Sequence, residues 1–130
     1  MQVFVYGTLT DPETAGRVLD TFEYAGAATL VGLHRVAGRY PTLAPGGRTE
    51  GRILTTPEID ALDRYEGVDR GLYVRQPVPL ADADTSDTVS CYVCDPELLD
   101  APAEWPGDGP FEARVVRYVR EEGVAVTRAL

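Results

Sequence analysis

The segment from Thr56 to Arg75 (TPEIDALDRYEGVDRGLYVR) constrains the fold most, because it predicts both ends of a helix. Thr56 followed by Pro57 is typical of an N-cap and a first helical residue. Gly67 is typical of the residue that ends a helix. We therefore predict a helix whose last turn carries a carboxylate, Glu66, and which leads into a strand.

Glu66 lies on the apolar side of this helix. At about 100° per residue it returns to within ~20° of Ile59, and Leu62 lies ~60° to its other side. Partial desolvation and the negative end of the helix dipole both raise the pKa of such a carboxyl group. A value of roughly 6–7 would suit a general acid/base. The alternative is a structural role, in which Glu66 reaches the surface or pairs with Arg70 or Arg75.

The length and charge of the chain limit its class. Its 130 residues fit one domain, 1–130, and the net charge is −9, with 21 acidic and 12 basic residues, all of them arginine. Binding to nucleic acid needs a basic face, so it is not expected. The acidic, lysine-free composition resembles that of proteins from a high-salt cytoplasm, although a GC-rich genome would explain the missing lysine equally well.

The N-terminus and the hydrophobic runs bear on location. The start, MQVFVYGTL, is too short and too polar at its flanks for a signal peptide, and no apolar run approaches transmembrane length. We expect a cytoplasmic protein with no membrane partner, either a monomer or a weak dimer.

Neither cysteine nor histidine predicts a metal or redox site. Cys91 and Cys94 could be half of a zinc site or a redox pair, but no further ligands accompany them. In a strand they would point to opposite faces, which favours two small buried apolar residues. His34 has no serine or cysteine partner that would make a catalytic dyad, and one histidine forms no metal-ligand set.

The N-terminal region predicts a strand, a turn and a helix. Residues 2–6 form a β-branched and aromatic run, and Gly7, Thr8 and Leu9 break it. Thr10 and Glu13 predict a capping box for the helix that follows. Its expected buried residues are Ala15, Val18, Leu19 and Phe22. The backbone N–H groups of the Gly7 turn would lie near a helix N-terminus, where they can receive an anion or a carbonyl oxygen.

The rest of the chain alternates strands and irregular segments. We predict strands over residues 27–35, 49–55, 72–80 and 88–94, an irregular segment over 38–47, a polar turn over 82–87 and a loop over 95–110. A helix from Phe111 that ends at Gly123, followed by a strand to Arg128, competes with a hairpin. The class is α+β: a curved mixed sheet or partly closed barrel with two or three short helices.

Several of these stretches together resemble the γ-glutamylcyclotransferase-like family. They are VYGTL after the first strand, a central YP, EGRIL, and LDRYEGVDRGLYVRQPV before a strand that carries a tyrosine. The resemblance is strongest to the branch of γ-glutamylamine cyclotransferase, the bacterial YtfP-type proteins and the plant AIG2-like proteins, and it covers Met1 to Val93. It implies a small α+β fold, no cofactor and a cavity that holds one γ-glutamyl group.

The resemblance also implies roles for individual residues. Glu66 matches the catalytic glutamate, and the turn after the first strand would bind the glutamyl end. The expected substrate-binding residues are Tyr6, Gly7, Thr8, Leu9, Tyr40, Tyr73 and Arg75. The implied reaction releases 5-oxoproline and a free amine or amino acid. The alternatives are a binding domain of the same fold without activity, removal of a γ-glutamyl protecting group in a biosynthetic pathway, and a salt-adapted protein in which Glu66 is structural.

Overall fold

A computed structural model describes residues 1–37, 41–81, 87–99 and 104–128. Within these ranges, six strands form one sheet in the order β4-β5-β1-β3-β2-β6. The strands are β1 Gln2–Val5, β2 Glu23–Val36, β3 Thr42–Thr55, β4 Tyr73–Pro79, β5 Thr88–Cys94 and β6 Ala125–Arg128. The α-helices are α1 Pro12–Val18, α2 Ile59–Glu66, the short α3 Pro96–Leu99, and α4 Phe111–Glu121.

The sheet is mixed and strongly curved, as the sequence predicts. β1 lies at its centre, antiparallel to β3 and parallel to β5. The two outermost strands approach each other, because Leu80 forms a parallel bridge with Val126 and the Ala81 N–H donates to the Val126 carbonyl at 2.9 Å. The sheet is therefore curled into a partly closed barrel, which confirms the predicted α+β class.

Irregular pairing between β2 and β3 helps to bend the sheet. The register shifts between Tyr24 and Gly26 and again between Val31 and Leu33, and such shifts increase local twist. Gly32 lies at the second shift with φ +103°, where a Cβ atom would come within 2.9 Å of Val124. A glycine therefore allows the chain before β6 to pack closely onto β2.

The sheet separates two hydrophobic cores, and β5 contributes to both. Val89, Cys91 and Val93 lie in one core together with α4. Tyr92 and Cys94 lie in the other, which includes residues of β1, α1 and α2. Both cysteines are buried and free, and burial raises the pKa of each thiol to about 12. The interpretation of two buried apolar residues on opposite faces is confirmed.

The predicted start of α2 is wrong by two residues. The N-cap is Glu58 rather than Thr56, and the helix begins at Ile59. The Thr56 hydroxyl instead donates to the Thr21 carbonyl at 2.6 Å and accepts from the Glu58 N–H at 3.1 Å. The other end is confirmed, because Gly67 closes the helix in the left-handed conformation with φ +75°.

The predicted capping box of α1 is also wrong. Asp11 is the N-cap, and its carboxylate accepts from the Glu13 N–H at 3.3 Å. Thr10 instead donates its hydroxyl to the Gly7 carbonyl at 2.7 Å. The helix ends at Val18, so Leu19 and Phe22 pack from the chain that follows it.

Strands β2 and β3 are each longer than the sequence indicates. Residues 42–47, which we expected to be irregular, belong to β3, and β2 begins at Glu23. The predictions for β5, the C-terminal helix and the last strand are confirmed, and the hairpin alternative is wrong. Most of the predicted turn over 82–87 lies outside the described residues.

Candidate functional site

A cavity of about 300 Å³ lies beside β1, on the side of the sheet that packs against α1 and α2. Its walls come from the end of β1, the Gly7 turn, the C-terminal end of α2 and the facing strands β4 and β5. A water molecule takes about 30 Å³ in the liquid, so the cavity could hold about ten. This volume is at the lower end of the range for small-molecule sites.

The turn after β1 forms one wall, and all four residues predicted there line the cavity: Tyr6, Gly7, Thr8 and Leu9. Thr8–Thr10 form a single 3-10 turn, in which the Thr10 N–H donates to the Gly7 carbonyl at 3.1 Å. The first N–H groups of such a turn have no acceptor within it. The backbone can therefore offer N–H donors beside the cavity.

Glu66 is the last residue of α2 and lines the same cavity. Its side chain is half-buried, and burial raises the pKa of its carboxyl group from 4.5 to about 7. No arginine in the described part of the chain forms an ion pair with it, because the Arg75 Nε instead lies 3.5 Å from Asp63 Oδ1. Near neutral pH the carboxyl group is therefore divided between its protonated and ionised forms, as an acid/base group requires.

Tyrosine rings form much of the remaining wall, and their hydroxyl groups are tied to the protein. The Tyr6 hydroxyl donates to the Tyr92 carbonyl at 2.6 Å, and the Tyr73 hydroxyl donates to the Pro41 carbonyl at 2.8 Å. Burial also raises the pKa of Tyr6 well above its ordinary value. These rings are therefore suited to shaping the cavity, whereas Glu66 is the group suited to moving a proton.

One of the predicted binding residues does not lie in the cavity wall, and another lies outside the described residues. Among the described residues that line the cavity, Arg75 is not present; its guanidinium contacts Asp63 and, at 3.4 Å, the Met1 sulfur. Arg75 therefore links β4 to α2 through Asp63. Tyr40 lies outside the described residues, although its neighbour Pro41 does line the cavity.

Several cavity residues were not predicted as site residues. Arg70, Leu72, Tyr65 and Tyr92 all line it, and the Tyr65 hydroxyl lies 3.0 Å from Thr8 Oγ1. The first three could have been predicted from their position in the chain. Tyr65 precedes Glu66, and Arg70 and Leu72 lie in the turn that begins at Gly67. Tyr92 shares a strand face with Cys94 in the alternating run Thr88–Cys94.

Replacing Tyr92 by phenylalanine should lower the free energy of unfolding by about 1.5–3 kcal/mol. Its hydroxyl donates to Asp63 Oδ1 at 2.7 Å, and a hydrogen bond to a carboxylate contributes about 1.5–3 kcal/mol when partly buried. Urea denaturation measures the loss. Tyr65→Phe removes an exposed hydroxyl contact and serves as the control, with an expected change below about 0.5 kcal/mol. Equal losses would show that the Asp63 contact adds nothing.

The described residues contain no group of three His, Cys, Asp or Glu side chains that could hold a metal ion. His34 instead has its Nδ1 atom 3.0 Å from the Gly46 carbonyl oxygen. None of the helices in the described ranges is long and apolar enough to cross a membrane.

Comparison with known proteins gives the family. Residues 3–112 match the family described as γ-glutamyl cyclotransferase, AIG2-like. AIG2-like protein C of Arabidopsis thaliana is 36% identical over 117 residues, which cover 79% of this chain and 64% of that protein. The chain therefore spans just under two thirds of that relative's length.

Solved structures share the fold. A γ-glutamyl cyclotransferase superposes with a TM-score of 0.61 at 18% identity, covering 73% of this chain and 66% of the other. The protein YtfP of Escherichia coli superposes with a TM-score of 0.55 at 21% identity, covering 73% and 83%. The curled sheet, the cavity beside β1 and the match over residues 3–112 lead to one conclusion: the chain belongs to the AIG2-like γ-glutamyl cyclotransferase family.

Proposed function

We propose that this protein is a γ-glutamyl cyclotransferase that releases 5-oxoproline and a free amine from a γ-glutamyl amine or γ-glutamyl peptide. The observation that carries the proposal is the carboxyl group of Glu66, which faces the cavity without an ion-pair partner among the described residues and has a pKa of about 7. Family membership supports the same reaction.

The reaction needs one group that first accepts and then donates a proton. The α-ammonium of the glutamyl group loses one proton to solvent, and its nitrogen attacks the γ-carbonyl carbon. The new N–C bond closes a five-membered ring, and the C–N bond to the departing amine breaks. Glu66 carries the second proton from the attacking nitrogen to the departing one. No water is consumed, and the departing amine takes back from solvent the proton that the α-ammonium lost, so the products together have the atoms of the substrate.

The surroundings of Glu66 suit this role. Because the attack is intramolecular, a wall that holds the glutamyl chain folded supplies much of the rate enhancement. The rings of Tyr6 and Tyr73, fixed by their hydrogen bonds, form such a wall. N–H groups of the Gly7 turn would bind the glutamyl end or polarise the carbonyl oxygen.

Purified protein incubated with a panel of γ-glutamyl dipeptides and γ-glutamyl amines should release 5-oxoproline, with one free amine for each molecule formed. Mass spectrometry measures both products. The matched control is the same compound with an acetylated α-nitrogen, which cannot attack its own γ-carbonyl and should be inert. The panel would include larger γ-glutamyl conjugates, so that removal of a protecting group is also tested.

Two results would contradict the proposal. Release of glutamate instead of 5-oxoproline would indicate a hydrolase, because the γ-carbonyl would then have been attacked by water. Binding of γ-glutamyl compounds without any turnover would support a binding domain of the same fold, since fold alone does not guarantee activity.

A further inference from the structure

The cavity has one acidic and one basic side chain among its described lining residues, Glu66 and Arg70. They differ in exposure, because Glu66 is half-buried and Arg70 is exposed. A γ-glutamyl substrate also has two ends, the glutamyl part that cyclises and the amine that departs. The unequal exposure of the two side chains suggests which end each of them meets.

The guanidinium of Arg70 lies against Gly67, the residue that follows Glu66. A Cβ atom at Gly67 would come within 2.9 Å of Arg70 Nη2 and 3.4 Å of Nε. The Arg70 N–H donates to the Gly67 carbonyl at 3.1 Å, and the Leu72 N–H donates to the same carbonyl at 3.0 Å. The left-handed glycine and this tight turn thus hold the guanidinium at the cavity next to the end of α2.

Arg70 has no carboxylate partner in the described ranges. The ion pairs there join Arg17 to Glu13 and Arg75 to Asp63. An arginine close to Glu66 would lower the pKa of its carboxyl group, yet burial alone accounts for the value of about 7. Among the described residues the guanidinium therefore forms no ion pair, with Glu66 or with any other carboxylate, which leaves it available to a ligand.

We propose that Arg70 is a specificity-determining residue that binds a carboxylate on the departing amine. This inference rests on the proposed function and names its substrate class: γ-glutamyl derivatives of amino acids, in preference to γ-glutamyl alkylamines. The reacting carbonyl must reach the half-buried Glu66, so the departing group extends toward solvent, where Arg70 lies. A planar guanidinium can hold a carboxylate with two parallel hydrogen bonds.

A matched pair of substrates tests the assignment. γ-Glutamyl-alanine and γ-glutamyl-ethylamine differ only in the carboxylate of the departing part. The wild-type protein should show a kcat/KM about tenfold higher for the alanine compound, the modest effect of a charged hydrogen bond at an exposed site. Arg70→Gln should lower that value about tenfold, mainly through KM, and leave the ethylamine compound unchanged.

The control is Arg64→Gln. Arg64 is exposed on α2 and is not among the described cavity residues, so the substitution makes the same change in net charge outside the cavity. It should leave both substrates unaffected. Urea denaturation should show that both variants are folded.

Two kinetic results would overturn the inference. Equal losses on both substrates would mean that Arg70 binds the glutamyl part, and no loss on either would mean that it binds no carboxylate. If wild-type protein turns over neither these two compounds nor any other compound of the panel, the proposed function fails, and calorimetric titration with the same two compounds decides the question for Arg70. Tighter binding of the alanine compound that disappears in Arg70→Gln would support the inference, and equal binding of the two would overturn it.

Discussion

The Glu66→Gln variant is expected to lose at least about a hundredfold in kcat for 5-oxoproline release, because general acid/base groups typically contribute 10²–10⁴-fold. The amide keeps the size and shape of the side chain and removes its ability to carry a proton. Binding depends mainly on the cavity walls, so KM should change little. Steady-state rates measured by mass spectrometry on the best substrate of the panel give both constants.

The matched control is Glu50→Gln. Glu50 is exposed on β3 and does not belong to the described cavity wall, so the same chemical change there should leave kcat within about twofold. A Glu66→Gln variant that keeps more than a tenth of the wild-type rate would remove Glu66 from the mechanism. The cavity would then act by holding the glutamyl chain folded, with solvent carrying the proton.

Glu66 could be predicted because its position depends on local structure alone. Seven residues after Ile59, it returns to the buried side of any α-helix that includes both, and Gly67 fixes where that helix ends. An error of two residues at the start of α2 changes neither fact. Depth of burial is different, because it depends on the strands that face the helix and not on the helix itself.

The long hairpin of β2 and β3 could not be predicted from local signals. Ala44-Pro45-Gly46-Gly47 is typical of a turn, yet Pro45 pairs with Leu33 inside β3. Proline is tolerated there because β1 pairs only with residues 52–55 of β3, so Pro45 faces no strand on its second side within the described sheet. Pairing with β2 therefore outweighs the local preference for a turn.

The two arginines near the site show a similar limit. Strand alternation puts Arg75 on the same face as Tyr73, but its long side chain ends at Asp63 instead of the cavity. Arg70 reaches the cavity because Gly67 and Gly71 both adopt left-handed conformations and turn the chain between them. Residue spacing does not predict where either arginine side chain ends, because a flexible guanidinium can adopt several positions and its contacts with distant residues decide among them.

The Glu66→Gln substitution is also expected to raise the free energy of unfolding relative to wild type at alkaline pH. This gain should be about 3 kcal/mol larger at pH 8 than at pH 4.5. Folding raises the pKa of the Glu66 carboxyl group from 4.5 to about 7. Between those values the folded state binds more protons than the unfolded state, so the stability of the wild type falls as pH rises through this window. A difference of 2–3 pKa units corresponds to a loss of stability of about 3 kcal/mol when the carboxyl group ionises. The glutamine variant does not undergo this loss, because its side chain never ionises.

The measurement is the free energy of unfolding in urea at both pH values and constant salt, for wild type, Glu66→Gln and the exposed control Glu50→Gln. Because wild type and Glu66→Gln share every other titrating group, the difference between these two proteins isolates the one carboxyl group. A difference that does not change with pH would show that Glu66 is solvated, and the acid/base proposal would lose its basis. A stability gain at pH 8 combined with lost turnover would instead show that the fold tolerates an unfavourable buried carboxylate because the reaction requires one.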